Sequence, residues 1–264
     1  MIYAQSGIIA PTWTHSYQNQ RDSVAHPPHR RGFERTDRTP FAAADSSPLR
    51  FGERLNATVV LHGGKMNVQR IEQIAQAEMA GCRSDTREPG WILYHGQRTG
   101  KLAVVLAQKL NYDVDCDVLY TAGLFHDIGK GNDSHNEAGA HLTRSLLSGI
   151  ATSSELDEIC DAIRCHNQRK KSDSFSDYVK LVQDADLIDH VGLIDVWMAF
   201  YWSGHHGESI HDHIAYYKGE ECRRWRAYMR THLNYDVSQQ MFEERIQLED
   251  DLLSRFHKMY FDGI

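Results

Sequence analysis

The distribution of proline is the feature that most constrains the fold of this 264-residue chain. Five of the six prolines lie within residues 1–48, the sixth is Pro89, and none follows it. Proline interrupts helices because it lacks the backbone N–H and clashes with the preceding turn. Residues 90–264 are therefore free to form long helices, and their apolar residues recur at helical spacing without convincing alternation at a period of two. The sequence predicts an all-α fold.

Capping and breaking signals give approximate helix boundaries. Helices are predicted over about 92–110, 115–127, 134–149, 152–166 and 177–202, with two or more further helices at the C-terminus. The third and fourth begin with Ser134 to Glu137 and Thr152 to Glu155, which have the spacing of a capping box. The second ends at HDIGKG, where two glycines break the helical pattern.

Residues 1–65 differ in composition from the rest of the chain. They combine proline, charged and small polar residues without periodicity. Such a segment buries too little apolar surface to offset its conformational entropy. We expect residues 1–65 to be a disordered extension, with Met66 as an alternative start of translation. We expect residues 66–264 to form a single helical domain.

Charge and hydropathy exclude several classes of protein. Residues 66–264 carry 21 basic and 31 acidic residues, an acidic balance that disfavours broad nucleic-acid binding. No apolar run approaches the roughly 18 residues of a membrane span, and the N-terminus does not resemble a signal peptide. The five cysteines are scattered without a CxxC pair, as is usual for reduced thiols. We expect a cytoplasmic protein outside membranes, whose oligomeric state the sequence leaves open.

A His-Asp doublet carries the chemistry. His126 and Asp127 end the apolar helix TAGLFHDIGK, where buried ionisable groups are costly unless something compensates them. His95 lies near the start of the preceding helix, and Asp186 lies on a later helix within VQDADLIDH. Inward-facing ligands on several helices are how helical bundles hold metals. The doublet alone is weak evidence, since a capped histidine beside a helix-terminal aspartate would look the same.

Two further histidines lie at helix ends. His135 opens the predicted helix 134–149, and His166 closes the predicted helix 152–166. Each alone is consistent with a solvated helix terminus. If the two helices pack antiparallel, however, both imidazoles come to one end of the bundle beside Asp127. They would then supply what a second metal ion requires.

Over about residues 90–200, the order H…HD…H…H…D resembles the HD-domain superfamily of metal-dependent phosphohydrolases. We expect further helices over residues 205–264, C-terminal to this HD core. GQR follows the first histidine, HDIGK has the form of the HDIG subgroup, and HNEAGAHLTRSLL looks like a helix of the two-metal members. The C-terminal part is similar to small bacterial HD hydrolases of the YedJ/YpgQ kind. The GYP motif of cyclic-di-GMP phosphodiesterases is missing after His166, and only nine residues separate His126 from His135.

The resemblance implies a set of metal ligands. The ligands of a first divalent ion would be His95, His126, Asp127 and Asp186. Asp127 would bridge to a second ion held by His135 and His166, and the short spacing between His126 and His135 leaves one or two ions open. Mn²⁺, Fe²⁺, Ni²⁺ or Co²⁺ is expected, with Mg²⁺ as a further candidate.

The resemblance also implies an activity. We expect hydrolysis of a phosphate ester or anhydride in a small phosphorylated substrate, a nucleotide by preference, with Asp127 at the reacting centre. Lys130 could stabilise phosphoryl charge or be a solvated lysine, and Arg98 could bind phosphate or pair with a carboxylate. The alternatives are a phosphodiesterase acting on RNA or a cyclic nucleotide, and a non-catalytic nucleotide-binding sensor.

Overall fold

The computed structural model describes residues 66–168 and 174–264, and the expected disorder of residues 1–65 lies outside this part of the chain. The described residues form ten α-helices and no strands, which confirms the predicted all-α fold. The helices are α1 (Val68–Met79), α2 (Trp91–Leu110), α3 (Cys116–Phe125), α4 (His135–Leu147), α5 (Ser153–Cys165), α6 (Asp177–Asp189), α7 (Leu193–His206), α8 (Ile210–Lys218), α9 (Glu220–His232) and α10 (Asp236–His257), followed by a π-helical turn over Lys258–Asp262.

The main core lies among α1 to α6. Helix α2 packs on α3 and α6, α3 packs on α5, and α4 pairs with α5. Fully buried side chains include Leu93 and Leu106 of α2, Phe125 of α3 and Ile163 of α5, and Phe242 reaches this core from α10. A smaller apolar cluster joins α7, α8, α9 and α10. No described helix combines the length and apolarity needed to cross a membrane.

The caps explain several of the helix starts. Thr152 and Glu155 form the predicted capping box, with the Glu155 carboxylate accepting from Thr152 N–H at 2.6 Å. The predicted box at Ser134 is wrong, because the Ser134 side chain makes no capping hydrogen bond. The Glu137 carboxylate instead accepts from Arg164 Nε of α5 at 3.2 Å. This ion pair links the start of α4 to the end of α5.

The long helix predicted over 177–202 is two helices. Helix α6 ends at Asp189, and α7 begins at Leu193. Gly192 between them has φ +90°, a conformation that favours glycine, and a Cβ there would lie 3.2 Å from Arg245 Cβ. The Gly192 N–H donates to Glu249 Oε2 of α10 at 2.8 Å. Helical periodicity continues through this break, and only the contact with α10 reveals it.

Candidate metal centre

Five helix segments bring ionisable side chains to one end of the bundle. His95 lies in the first turns of α2, His126 caps α3 and is followed by Asp127, and Asp186 lies in the last turn of α6. His135 opens α4 and His166 caps α5. All these side chains are at least largely buried.

Glycines allow α2 and α3 to approach closely enough for His95 to meet His126. A Cβ on Gly123 would lie 2.6 Å from Gly100 Cα, and a Cβ on Gly96 would lie 2.2 Å from Leu124 O. Any larger residue at these positions would force the two helices apart. The small residues of YHGQRTG and TAGLF therefore position the imidazoles.

The first cluster surrounds one oxygen of Asp186. His95 Nε2 lies 3.1 Å from Asp186 Oδ1 and 3.2 Å from His126 Nε2. His126 Nε2 lies 3.6 Å from Asp186 Oδ1 and 3.6 Å from Asp127 Oδ2. These four residues, predicted from separate parts of the sequence, thus converge on one point.

The second cluster surrounds the other oxygen of Asp127. His166 Nε2 lies 3.5 Å from Asp127 Oδ1, His135 Nε2 lies 3.9 Å away, and Lys130 Nζ lies 3.4 Å away. The rings of His135 and His166 are 5.4 Å apart. The antiparallel contact of α4 with α5 does bring the two helix ends together, as the sequence predicted.

A second set of polar groups fixes the orientation of the imidazoles. The Nδ1 atoms of His126 and His166 lie 2.7 Å from the carbonyl oxygens of Gly123 and Ile163. His95 Nδ1 lies 2.8 Å from Asp189 Oδ2. In each ring Nδ1 has an acceptor, and Nε2 faces the cluster, which is the arrangement found around metal-ligating histidines.

Asp189 also holds the guanidinium of Arg98. Arg98 Nε donates to both carboxylate oxygens at 3.0 Å, and Arg98 Nη2 lies 2.9 Å from Asp189 Oδ2. Burial alone would raise the pKa of Asp189, but its contacts with His95 and Arg98 lower that pKa to about 2. Of the two predicted possibilities for Arg98, the structure shows the pairing with a carboxylate.

The second cluster favours the protonation states that metal ligands need. Burial opposes the charge of Asp127, yet Lys130, His126 and His166 hold the pKa of this carboxyl well below its usual value. Burial, then the charge of Lys130, lowers the pKa of His135 to about 4, and burial lowers the pKa of His166. An ionised carboxylate beside neutral imidazoles is ready to bind a cation.

The donor atoms fit a metal ion. Bonds of about 2.0–2.2 Å to one ion place neighbouring donor atoms roughly 2.8–3.6 Å apart, and most of the separations above fall in this range. Asp127 Oδ1 and His135 Nε2 are buried without a hydrogen bond, a costly state for polar atoms. These residues and His190 form four overlapping groups of three. Within each group, the three potential ligand atoms lie within 4.8 Å of one another.

Residues that sequence reasoning passed over also lie here. His190 Nε2 lies 3.2 Å from Asp186 Oδ1. The signal that could have found His190 is its position four residues after Asp186, on the same helical face. Arg245 of α10 also lies here: its Nη1 donates to Ile188 O at 2.9 Å and lies 3.6 Å from Asp189 Oδ1.

Other candidates do not reach the centre. The histidines of SGHHGESIHDH lie in α7 and α8. His213 is buried there and its Nδ1 lies 3.0 Å from Ser203 Oγ. Arg230 pairs with Glu243 instead of facing the centre.

A small cavity of about 30 Å³ opens beside His95. Its walls combine cationic, acidic, aromatic and aliphatic side chains from α2, α6 and α7 and the segment before α2. The lining residues are Arg87, Glu88, Trp91, His95, Arg98, Asp189, His190, Ile194, Asp195 and Met198. At its edge, the exposed Trp197 donates through Nε1 to Glu88 Oε2 at 3.1 Å.

Comparison with known proteins identifies the domain. A family model described as the HD domain matches residues 92–190. None of the curated proteins compared with the chain matches it.

Solved structures share the fold. YpgQ of Bacillus subtilis, solved in complex with ADP, is 22% identical, with a TM-score of 0.52 and coverage of 74% of this chain and 98% of YpgQ. A predicted HD superfamily hydrolase from an uncultured Thermotogales bacterium is 19% identical, with a TM-score of 0.52 and coverage of 73% and 92%. An HD-superfamily hydrolase from Bacillus thuringiensis is 20% identical, with a TM-score of 0.55 and coverage of 73% and 96%. The predicted resemblance is confirmed over residues 92–190, which match the HD domain, and the solved HD-superfamily structures share its fold.

Proposed function

We propose that this chain hydrolyses a phosphate ester or anhydride of a nucleotide, at a metal centre formed by His95, His126, Asp127 and Asp186. The observation that carries the proposal is the convergence of two imidazole nitrogens and a carboxylate oxygen at 3.1–3.6 Å, next to an Asp127 carboxylate that has a buried oxygen without a hydrogen bond. A buried carboxylate oxygen without a hydrogen bond is costly, and a bound cation would compensate it.

The expected ion is a divalent transition metal, with Mg²⁺ as the less favoured candidate, since imidazole nitrogens suit the former and oxygen ligands the latter. When bound, such an ion lowers the pKa of water and polarises a phosphoryl oxygen.

The cationic side chains have separate tasks in this proposal. Lys130 is 36% exposed, so its ammonium can leave Asp127 and contact phosphoryl oxygens. Arg98 acts mainly through Asp189, because the carboxylate that it holds also holds His95. We therefore place Lys130 against the substrate and treat Arg98 as a positioning residue.

A nucleotide is the proposed substrate class because of the pocket. It lies beside the proposed metal ligands, and its lining combines aromatic and cationic side chains. Trp91 and Arg87 supply an aromatic and a cationic group for a base and a phosphate, and the Arg87 guanidinium lies over the Trp91 ring at 5.2 Å from its centroid. The ADP bound to YpgQ is consistent with such a ligand.

We propose two ions, with Asp127 shared between them. The oxygens of Asp127 face different clusters: Oδ2 lies 3.6 Å from His126 Nε2, and Oδ1 lies 3.5 Å from His166 Nε2. The short spacing from His126 to His135 does not prevent this, because Gly129 lets the HDIGK turn pass directly over His135 O, where a Cβ would lie at 2.0 Å.

The function is tested by measuring phosphate and pyrophosphate release from nucleoside mono-, di- and triphosphates with Mn²⁺, Fe²⁺, Ni²⁺, Co²⁺ and Mg²⁺. Asp127→Asn should lose metal and activity while keeping its helical content, because the amide carries no charge. Asp157→Asn, an exposed carboxylate on α5, is the matched control and should behave as wild type. Metal-loaded wild type without turnover on any nucleotide would point to the sensor alternative.

The number of ions is tested by elemental analysis of wild type, His135→Ala and His166→Ala. Two ions per chain in wild type and one in each variant, with sharply reduced turnover, is the expected result. One ion in all three proteins with equal rates would mean a single-metal centre.

A further inference from the structure

His190 lies at the open side of the first cluster. It caps the C-terminus of α6, one turn after Asp186, and the rings of His190 and His95 are 4.8 Å apart. His95, Asp186 and His190 each offer a ligand atom within 4.8 Å of the other two. The order of motifs from which the other ligands were predicted ends at Asp186 and leaves His190 out.

The oxygen that His190 faces is informative. Asp186 Oδ1 lies 3.1 Å from His95 Nε2, 3.6 Å from His126 Nε2 and 3.2 Å from His190 Nε2. Three imidazole nitrogens thus converge on Oδ1 of Asp186. A residue that only orients a ligand contacts the ligand atom that is turned away from the metal, as Asp189 does at Nδ1 of His95. His190 instead contacts the Asp186 oxygen that faces the cluster.

We propose that His190 is an additional nitrogen ligand of the ion bound by the first cluster. This rests on the proposed metal-dependent function. The separation of 3.2 Å from Asp186 Oδ1 is that of two neighbouring donors on one ion, for which roughly 2.8–3.6 Å is expected. A third imidazole shifts the preference of the centre further from Mg²⁺ towards transition metals, because imidazole suits the latter and carboxylate and water suit Mg²⁺.

The position of His190 also joins the ion to the substrate pocket. Its side chain is 37% exposed and lines the pocket together with Arg87 and Trp91. The remaining ligands approach from the interior of the bundle, with side-chain exposures of 6% or less. His190 is therefore the most exposed of the proposed ligands of this ion, and it lines the pocket together with His95.

The experiment compares wild type with His190→Ala and His190→Gln. The glutamine amide can still donate a hydrogen bond to Asp186, but it is a poor ligand for a transition metal. The exposed His141 of α4 supplies the matched control, His141→Ala. Co²⁺ and Mg²⁺ affinities are measured by calorimetric titration, and hyperfine-shifted imidazole signals are counted by proton NMR of the Co²⁺-loaded proteins.

Both His190 variants should bind Co²⁺ at least about tenfold more weakly, lose less Mg²⁺ affinity and lack the imidazole signals of one histidine. Co²⁺-loaded wild type and His190→Gln with equal affinities and equal signals would overturn the proposal and leave the metal centre intact. Wild type without Co²⁺ binding would overturn the metal centre itself, and this proposal with it.

Discussion

Replacing Asp189 by asparagine tests whether the carboxylate behind His95 controls the metal centre. Asp189 is 1% exposed, and its oxygens hold His95 Nδ1 at 2.8 Å and Arg98 at 2.9–3.0 Å. Asparagine keeps an oxygen for the His95 contact but removes the negative charge that makes Nε2 of this ring more basic. The loss of such outer partners weakens metal binding about 10–100-fold, or about 1.4–2.7 kcal/mol.

The same substitution also affects stability. Two guanidinium groups, Arg98 and Arg245, would lose their counter-charge at Asp189. Breaking a fully buried ion pair costs about 3–5 kcal/mol. Because the two arginine side chains are 32% and 28% exposed, water screens them, and we expect a loss of about 1–2 kcal/mol in the free energy of unfolding.

Asp184→Asn is the matched control. Asp184 lies on the same helix and is fully buried, but its carboxylate accepts from the backbone N–H groups of Asn234 and Tyr235 at 2.8–3.2 Å. We expect this variant to lose stability without losing metal affinity.

Metal affinity is measured by calorimetric titration at a temperature where all three proteins are folded, and stability by urea denaturation of the metal-free proteins. Two results would refute the reasoning. One is an Asp189→Asn variant that binds metal as tightly as wild type. The other is an Asp184→Asn variant that binds metal as weakly as Asp189→Asn, since the effect would then come from general loosening of α6.

Three further predictions concern the glycine turn, a buried histidine and the N-terminal segment. Gly129→Ala should abolish metal binding, because its Cβ would lie 2.0 Å from His135 O, whereas Gly204→Ala meets no atom within 4 Å and should retain the metal in an elemental analysis. Burial lowers the pKa of His213 from 6.5 to about 4, although Glu208 opposes this. The folded state therefore favours the neutral ring. The contribution of this ring to the free energy of unfolding is fully present above about pH 6.5 and is lost as the pH falls towards 4. Between pH 6.5 and 4, the free energy of unfolding measured by urea denaturation should fall by about 1–2 kcal/mol less in His213→Gln than in wild type. Equal losses in the two proteins would exclude the His213 ring as the cause. A chain beginning at Met66 should fold and keep its activity, and its insolubility would contradict the domain boundary predicted from composition.

Much of the helical framework could be predicted from local patterns. The starts of α2 and α3 and the capping box at Thr152 follow from short-range signals that the tertiary structure leaves unchanged. The box at Ser134 fails because Arg164, close in space but distant in sequence, takes the Glu137 carboxylate. The break at Gly192 is equally non-local, since the Glu249 carboxylate of α10 binds its N–H.

The candidate site likewise combines residues that sequence motifs indicate with residues that only the packing of the helices brings in. The HDIGK motif and the order of histidines and aspartates indicated six residues, and the structure brings all six together, while their roles as ligands stay a prediction. The order of motifs does not assign Asp189 or His190 to the centre, because a polar residue at the end of a helix is usually solvated. Their burial against His95 follows from the packing of α6 on α2. The order of residues along the chain indicates candidate ligands better than it indicates the residues that orient them.

The geometry around Asp127 explains why one dipeptide could indicate so much of the site. His126 caps the C-terminus of α3, and its Nε2 lies 3.2 Å from His95 Nε2. Asp127 follows immediately, where the chain leaves the helix, and its two oxygens can therefore face different groups of helices. Oδ2 faces the histidines of α2 and α3, and Oδ1 faces those of α4 and α5. On a helix, a shift of one position turns a side chain by about 100° around the axis, so an aspartate one residue earlier would face away from this junction. The adjacency of His126 and Asp127 thus lets the doublet contact both clusters.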